Sequence, residues 1–180
     1  MSYASALDRL YALGQELHTA PGTPRRKFEL AHMRTLMAAL GNAERRFASV
    51  LVAGTNGKGS TSSTLASILA RAGYRTGLYT SPHLSSVNER IQVDGAMISD
   101  NDLAAVFFQV EEIAAKLVQD GRLPALPSFF ETVTAMGFLY FASCGVHTAV
   151  LEVGMGGRLD ATNIVEPVVS VITDISLDHT

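Results

Sequence analysis

The sequence predicts a doubly wound α/β fold, a mainly parallel sheet with helices on both faces. Three observations lead there. The apolar run Val50-Leu51-Val52-Ala53 enters a glycine-rich turn, and helical periodicity follows, with Leu65, Ile68, Leu69 and Ala72 at i, i+3, i+4 and i+7. Residues 148–153 and 168–173 are almost continuously apolar, as parallel strands covered on both faces are. Helical and strand patterns alternate between these landmarks, with no repeat, low-complexity tract or interdomain linker.

Taken in order, residues 2–18 read as a helix, with Leu7, Leu10, Tyr11, Gly14 and Leu17 at helical spacing. Thr19-Ala20-Pro21-Gly22-Thr23-Pro24 breaks it. A second helix is predicted over 24–40, with Pro24 at its start and Gly41 past its end. Both are expected to pack on one face of the sheet. The strand near Val50 and a helix over 60–72, closed by Gly73, come next, then a strand at 76–80 and a polar loop at 81–86. Asp94-Gly95 between Arg90-Ile91-Gln92-Val93 and Ala96-Met97-Ile98 signals a two-residue hairpin.

Ser99 and Asp102 form a capping-box pattern ahead of a helix striped by Leu103, Val106, Phe107, Val110, Ile113, Ala114 and Leu117. A loop with two prolines spans 121–127. Ser128 and Glu131 repeat the capping pattern before a helix ending near Ser143, apolar nearly all round and therefore expected against the sheet. Strands at 148–153 and 168–173 flank a second glycine-rich loop, 154–163. A parallel strand at the end of the chain needs a covering helix, so the 180 residues are expected to be a fragment.

Composition narrows the function. At 180 residues and 47% hydrophobic, the chain supports one domain with a sizeable core. A net charge of −3 argues against a general binder of nucleic acid or anionic membrane. The longest apolar run, near 133–142, is too short to span a bilayer, and the N-terminus lacks signal-peptide character. The single cysteine, Cys144, sits in an apolar segment, reads as a small core side chain, and fits a cytoplasmic location.

The chemistry centres on Gly54-Thr55-Asn56-Gly57-Lys58-Gly59-Ser60-Thr61. Strand, glycine-rich turn and helix make a phosphate-binding layout: glycines let backbone N–H groups converge, and the helix start adds unpaired N–H groups and a positive dipole end. Lys58 supplies charge for outer phosphates, and Ser60 or Thr61 a hydroxyl for Mg²⁺. The run is shorter than G-x-x-x-x-G-K-[ST] and places Gly59 between lysine and hydroxyl.

In such sheets ligands gather at the carboxyl ends of the strands, where the polar residues of this chain fall. Glu152 closes its strand, in place for a carboxylate on Mg²⁺ ahead of the other role open to it, an acceptor for N–H groups of the neighbouring glycine loop. Asp174, Asp178 and His179 follow the last strand. His179 reads equally as a metal ligand or a surface residue, and His83 equally as a ligand contact or a loop residue bonding backbone. Arg158 and Asp160 offer an internal salt bridge, a turn bond or ligand binding. Phe129 and Phe130 read as core before ring-stacking platform. His18, His32 and His147 lie at element ends and carry no assigned chemistry.

AGTNGKGS at 53–60, TSPHL at 80–84, NERI at 88–91, Phe130-Glu131, EVGMGGRLDATN at 152–163 and DISLDH at 174–179 stand in one order. Together they resemble the folylpolyglutamate synthase and dihydrofolate synthase family, a branch of the Mur ligases. The resemblance implies an ATP-dependent amide ligase. A dihydropteroate or reduced folate carboxylate would be phosphorylated to an acyl phosphate, and the amine of L-glutamate would displace phosphate. Carried over by motif, Asn56, Gly57, Lys58, Gly59 and Ser60 hold ATP, and Ser60, Ser81, Glu152 and His179 bind Mg²⁺. Lys58, Glu152 and His179 carry catalysis. Ser81, Pro82, His83, Ser128, Phe129, Phe130, Glu131, Leu159, Asp160 and Ala161 contact substrate, and the loop from Ser81 to Arg90 resembles the family's mobile folate loop.

By the same resemblance, 1–180 is the N-terminal part of an ATP-binding domain, with a helical lead-in over 1–45 and an incomplete P-loop core over 46–180. The family's modified lysine and C-terminal domain lie beyond it, so the isolated piece is expected to be inactive. The full-length protein is expected to be a monomer with no nucleic-acid or membrane partner. Two alternatives remain, a peptidoglycan-type Mur ligase and a non-catalytic nucleotide-binding fragment. The first is disfavoured because only 49 residues precede Val50, too few for a sugar-nucleotide domain.

Overall fold

The computed structural model describes residues 2–15 and 30–176. Its sheet has six strands: β1 (Ala48–Ala53), β2 (Thr76–Tyr79), β3 (Ile91–Val93), β4 (Ala96–Met97), β5 (Thr148–Glu152) and β6 (Val169–Ile172). The spatial order is β4-β3-β2-β5-β1-β6, and β2, β5, β1 and β6 run parallel. The hairpin β3–β4 adds antiparallel strands beside β2. Its turn residues Asp94 and Gly95 have φ of 51° and 81°, the left-handed pair a two-residue hairpin requires.

The described residues form five α-helices: α1 (Tyr3–Gln15), α2 (Leu30–Ala39), α3 (Lys58–Arg71), α4 (Asp100–Gln119) and α5 (Phe129–Ser143). The later part of the expected first helix and the proline-led start of the second lie outside the described residues. Among the described residues, helix α3 covers one face, over β1, β2 and β5, where Ala66 meets Val50, Val52, Leu78 and Val150. On the other face α5 is buried along most of its length, as its apolar surface demands. There the Phe141 ring lies over Gly77 of β2. The stripe of α4 from Leu103 to Leu117 is buried in the same core, with Ile113 half-buried. Each large side chain fully removed from water there contributes about 1.5–3 kcal/mol.

Two expectations need correction. Helices α1 and α2 pack on α4 and α5 and form an outer layer, because α5 already occupies the sheet face. Strand β6 was expected to be covered on both faces, but Val169 and Ile172 are 51% and 68% exposed because β6 is an edge strand and no described helix lies over it.

The helix starts follow local chemistry. Ser128 and Glu131 make the full reciprocal capping box at α5. At α4 the Ser99 hydroxyl accepts from the Asp102 N–H at 3.1 Å, and donates to the Asp102 carboxylate at 2.7 Å. Aspartate is one carbon too short for the backbone half of the box. Helix α3 begins at Lys58, two residues earlier than periodicity indicated, because Gly57 takes the left-handed conformation that precedes it.

Candidate functional site

The carboxyl ends of β1, β2, β5 and β6 meet in one place. From β1 the chain turns through Gly54–Gly57 into α3. Gly54 has φ of 135°, open to glycine and strained for other residues. A brace holds this loop to the segment after β6. Thr55 and Asn56 N–H groups donate to the Asp174 carbonyl at 2.7 and 3.4 Å, and the Asn56 amide donates to the Ser176 hydroxyl at 3.1 Å. Asp174 thus acts through its backbone.

What remains free is the start of α3. Gly57 provides no side-chain cap, so the N–H groups of Lys58, Gly59 and Ser60 have no helical partner. Helices α4 and α5, by contrast, are capped by serines. The Lys58 ammonium folds over its own loop, donating to the carbonyls of Gly54 and Thr55 at 2.9 and 3.1 Å. Its third proton is available to an anion. Uncapped amides, a dipole end and a lysine over one loop fit a phosphate.

Glu152 lies beneath the loop, 4% exposed. A Cβ added at Gly59 would lie 3.6 Å from its carboxylate. The Ser81 N–H donates to Glu152 Oε2 at 3.1 Å, so the neighbour that satisfies this carboxylate is the β2 loop and not the glycine loop after β5. Glu152 has no ion pair among the described residues. Burial raises its pKa above the ordinary value, against the lowering effects of the Ser81 N–H, Lys58 and Arg90. A buried carboxylate without a cation, beside the Ser81 and Ser60 segments, offers the oxygen donors a hard divalent ion takes. No cluster of three or more His, Cys, Asp or Glu side chains is gathered among the described residues. His179, Asp178 and His18 lie outside them.

The loop after β2 is tightly built. The Ser81–Pro82 peptide bond is cis. Glu89 accepts the N–H groups of Leu84, Ser85 and Ser86 at 2.7–2.8 Å, which holds its carboxyl below the ordinary range. Asn88 is buried and its side-chain amide donates to the Ile98 carbonyl and the Asp100 carboxylate. Tyr3 of α1 donates its hydroxyl to the Asn88 side chain at 2.7 Å.

Side chains expected at a substrate divide into two groups. Ser128 and Glu131 are buried and bonded to each other, the Glu131 carboxylate accepting both the N–H and the hydroxyl of Ser128. Asp160 is buried too, and its oxygens accept from the N–H groups of Gly154, Met155 and Thr162 and from the Thr162 hydroxyl at 2.6–3.0 Å. Among the roles open to Asp160 the structure uses the turn bonds; no Arg158–Asp160 ion pair is present among the described residues. Ala161 is buried beside it, while Leu159 is 58% exposed. Asp160→Ala would leave four donors without their acceptor and is expected to cost about 3 kcal/mol, measurable by urea unfolding. It should also release Gly154, whose backbone packs so closely on Phe130 that an added Cβ would lie 2.6 Å from its ring.

The second group is half-buried against the edge of the core. Phe130 meets the buried Tyr79 ring edge-on at 6.2 Å. Phe129 stacks on Tyr11 of α1 at 5.9 Å and 12°, His83 lies 6.4 Å from it, and the Arg90 guanidinium sits 5.3 Å from its centroid. In the sequence Tyr11 shows only a helical spacing, and Arg90 stands in a motif and at the end of the polar loop without a role of its own. Arg90 closes the 3-10 turn Val87–Arg90 just before β3, and its effect depends on tertiary neighbours. Cys144 caps the opposite end of α5 from Phe129, away from this chemistry.

No family model matches the chain. Individual relatives do. A dihydrofolate synthase/folylpolyglutamate synthase of Bacillus subtilis is 45% identical over 151 residues, 83% of this chain and 35% of that protein. A probable bifunctional folylpolyglutamate synthase/dihydropteroate synthase of Haloferax volcanii is 42% identical over all 180 residues, 20% of its own length. Among solved structures, folylpolyglutamate synthase from Thermotoga maritima superimposes with a TM-score of 0.85 at 40% identity, over 97% of this chain and 38% of that one. The Mycobacterium tuberculosis enzyme complexed with ADP gives 0.86 at 40%, over 98% and 38%. An FPGS–AMPPCP–folate complex gives 0.88 at 35%, over 100% and 42%. The chain therefore spans from a fifth to about two fifths of the length of these proteins. By sequence and by fold, it belongs to the folylpolyglutamate synthase and dihydrofolate synthase family, matching the N-terminal portion of its members.

Proposed function

We propose that this chain carries the ATP and Mg²⁺ half of an ATP-dependent ligase that adds L-glutamate to dihydropteroate or to reduced folate. The supporting observation is the uncapped start of α3, with Lys58 folded over the loop and the buried Glu152 carboxylate beneath it. Names of relatives and the ADP- and folate-bound neighbours support the same reading.

In this reading Gly57 to Ser60 bind the phosphates through backbone N–H groups, and Lys58 neutralises the charge that gathers when carboxylate and phosphate approach. Asn56 serves mainly to brace the loop. Glu152 would hold Mg²⁺ with the hydroxyls of Ser60 and Ser81 and with His179, and the ion would supply charge neutralisation there. Activation through an acyl phosphate needs no nucleophilic side chain, in keeping with the residues at the site. The ring-bearing substrate would lie against Pro82, His83, Phe129 and Phe130, on a floor shaped by Ser128, Glu131, Leu159, Asp160 and Ala161. Residues 1–45 act as a helical lead-in to the P-loop core over 46–180.

The test is ligation by the full-length protein. ATP, Mg²⁺, L-glutamate and either dihydropteroate or tetrahydrofolate should yield ADP and the glutamylated product, and Lys58→Ala should lower kcat/KM at least 100-fold. A turnover that is independent of glutamate, or untouched by Lys58→Ala, would refute the assignment.

A further inference from the structure

We propose that Arg90 is a positioning residue for the ring-bearing substrate, fixing the orientation of both His83 and Phe129 at the open side of the crevice. This rests on the reading that such a substrate binds there. Arg90 is only 7% exposed, yet it has no ion pair among the described residues. A buried guanidinium without a carboxylate is costly unless other groups hold it. One that does is the buried Tyr79 hydroxyl, and two belong to the substrate wall. Arg90 Nε–H donates to His83 Nδ1 at 2.7 Å, and the guanidinium carbon lies 5.3 Å from the Phe129 centroid. Phe129 in turn stacks on Tyr11, whose hydroxyl is 3.5 Å from His83 Nε2. Four side chains from α1, the β2 loop, the turn just before β3 and the start of α5 thus form one cluster, and Arg90 links the loop to α5 within it.

The Arg90–His83 bond also fixes the tautomer of the ring. Nδ1 accepts from Arg90, so the ring bears its N–H on Nε2. A planar guanidinium that donates to the ring nitrogen and lies near an aromatic centroid is a geometry lysine reproduces only in part.

The test compares Arg90→Gln and Arg90→Lys with the parent in the full-length protein, using tetrahydrofolate and Mg·AMPPCP as ligands and the His83 and Phe129 ring signals in NMR at one fixed pH as reporters of ring placement. Arg90→Gln is expected to raise KM for tetrahydrofolate about tenfold or more, to leave Mg·AMPPCP affinity within about twofold, and to shift both ring signals. Arg90→Lys should recover part of the KM and part of the shifts. Equal loss of both ligands in Arg90→Gln, or no recovery in Arg90→Lys, would mean a structural role only and overturn the proposal. So would an unchanged KM or unmoved ring signals. If Arg90→Gln does not fold, Arg90→Lys decides: a KM and ring signals identical to the parent's overturn it. A parent that does not bind tetrahydrofolate refutes the substrate reading itself, whereas a parent that binds it and variants that bind equally refute only the role of Arg90.

Discussion

Gly54→Ala is expected to destabilise the fold by about 2–4 kcal/mol and to abolish binding of Mg·ATP. The backbone at Gly54 has φ of 135°, where an L side chain is strained. An added Cβ would also fall on the Thr173 hydroxyl and lie 3.1 Å from the Thr173 N. Thr173 cannot yield freely, because its N–H and hydroxyl both donate to the Ala53 carbonyl, at 2.8 and 3.2 Å. Relief of the collision would move the loop away from β6 and break the register of Thr55 and Asn56 on Asp174, which aims the start of α3. Adding Thr173→Ala should recover the part of the loss due to the hydroxyl and leave the φ strain and the close approach to the backbone N. Thermal unfolding and nucleotide titration of the single and double variants measure both parts, and a Gly54→Ala protein that binds like the parent would contradict the loop geometry.

The second large effect concerns Glu152→Gln, where affinity and stability should move in opposite directions. Glutamine keeps an acceptor for the Ser81 N–H but removes the charge. Mg²⁺-dependent nucleotide affinity is expected to fall at least tenfold, since a neutral amide is a poor ligand for a hard cation. Without cation, the variant should be more stable than the parent at pH 7. Burial raises the Glu152 pKa above its ordinary value of 4.5, so the folded protein takes up this proton more readily than the unfolded chain. The resulting stability is present below pH 4.5 and is lost as pH rises through the raised value. At neutral pH the parent therefore keeps an ionised carboxylate in a buried place, and glutamine relieves it. The difference should vanish in acid. Urea unfolding from pH 4 to 8, with and without Mg²⁺, checks the sign, and a variant less stable than the parent at pH 7 without cation would contradict it.

Much of the architecture was legible because local signals and tertiary needs agree. The stripe on α4, the all-round apolar α5, the Asp94-Gly95 turn and the Ser128–Glu131 box each name an element and a boundary. That the glycine-rich turn after β1 and the carboxylate closing β5 lie together was legible too, because both fall at the carboxyl ends of parallel strands. The outer position of α1 and α2 was not legible, since an amphipathic helix shows a buried face but not what buries it. Nor was the exposure of β6: an apolar strand reads alike whether or not a helix covers it. The roles of Asp160 as loop organiser and of Arg90 as a link between two elements depend on partners that sequence spacing does not bring together, six residues away at Gly154 and thirty-nine away at Phe129.

The central claim is that the start of α3, Lys58 and Glu152 form a site for Mg·ATP. Calorimetric titration of the full-length protein with Mg·AMPPCP, with EDTA and with Lys58→Ala as comparisons, addresses it most directly. Saturable binding is expected, weakened at least tenfold by EDTA and by Lys58→Ala, with circular dichroism of the variant unchanged. Binding of equal strength in all three, or none in a folded parent, would contradict it.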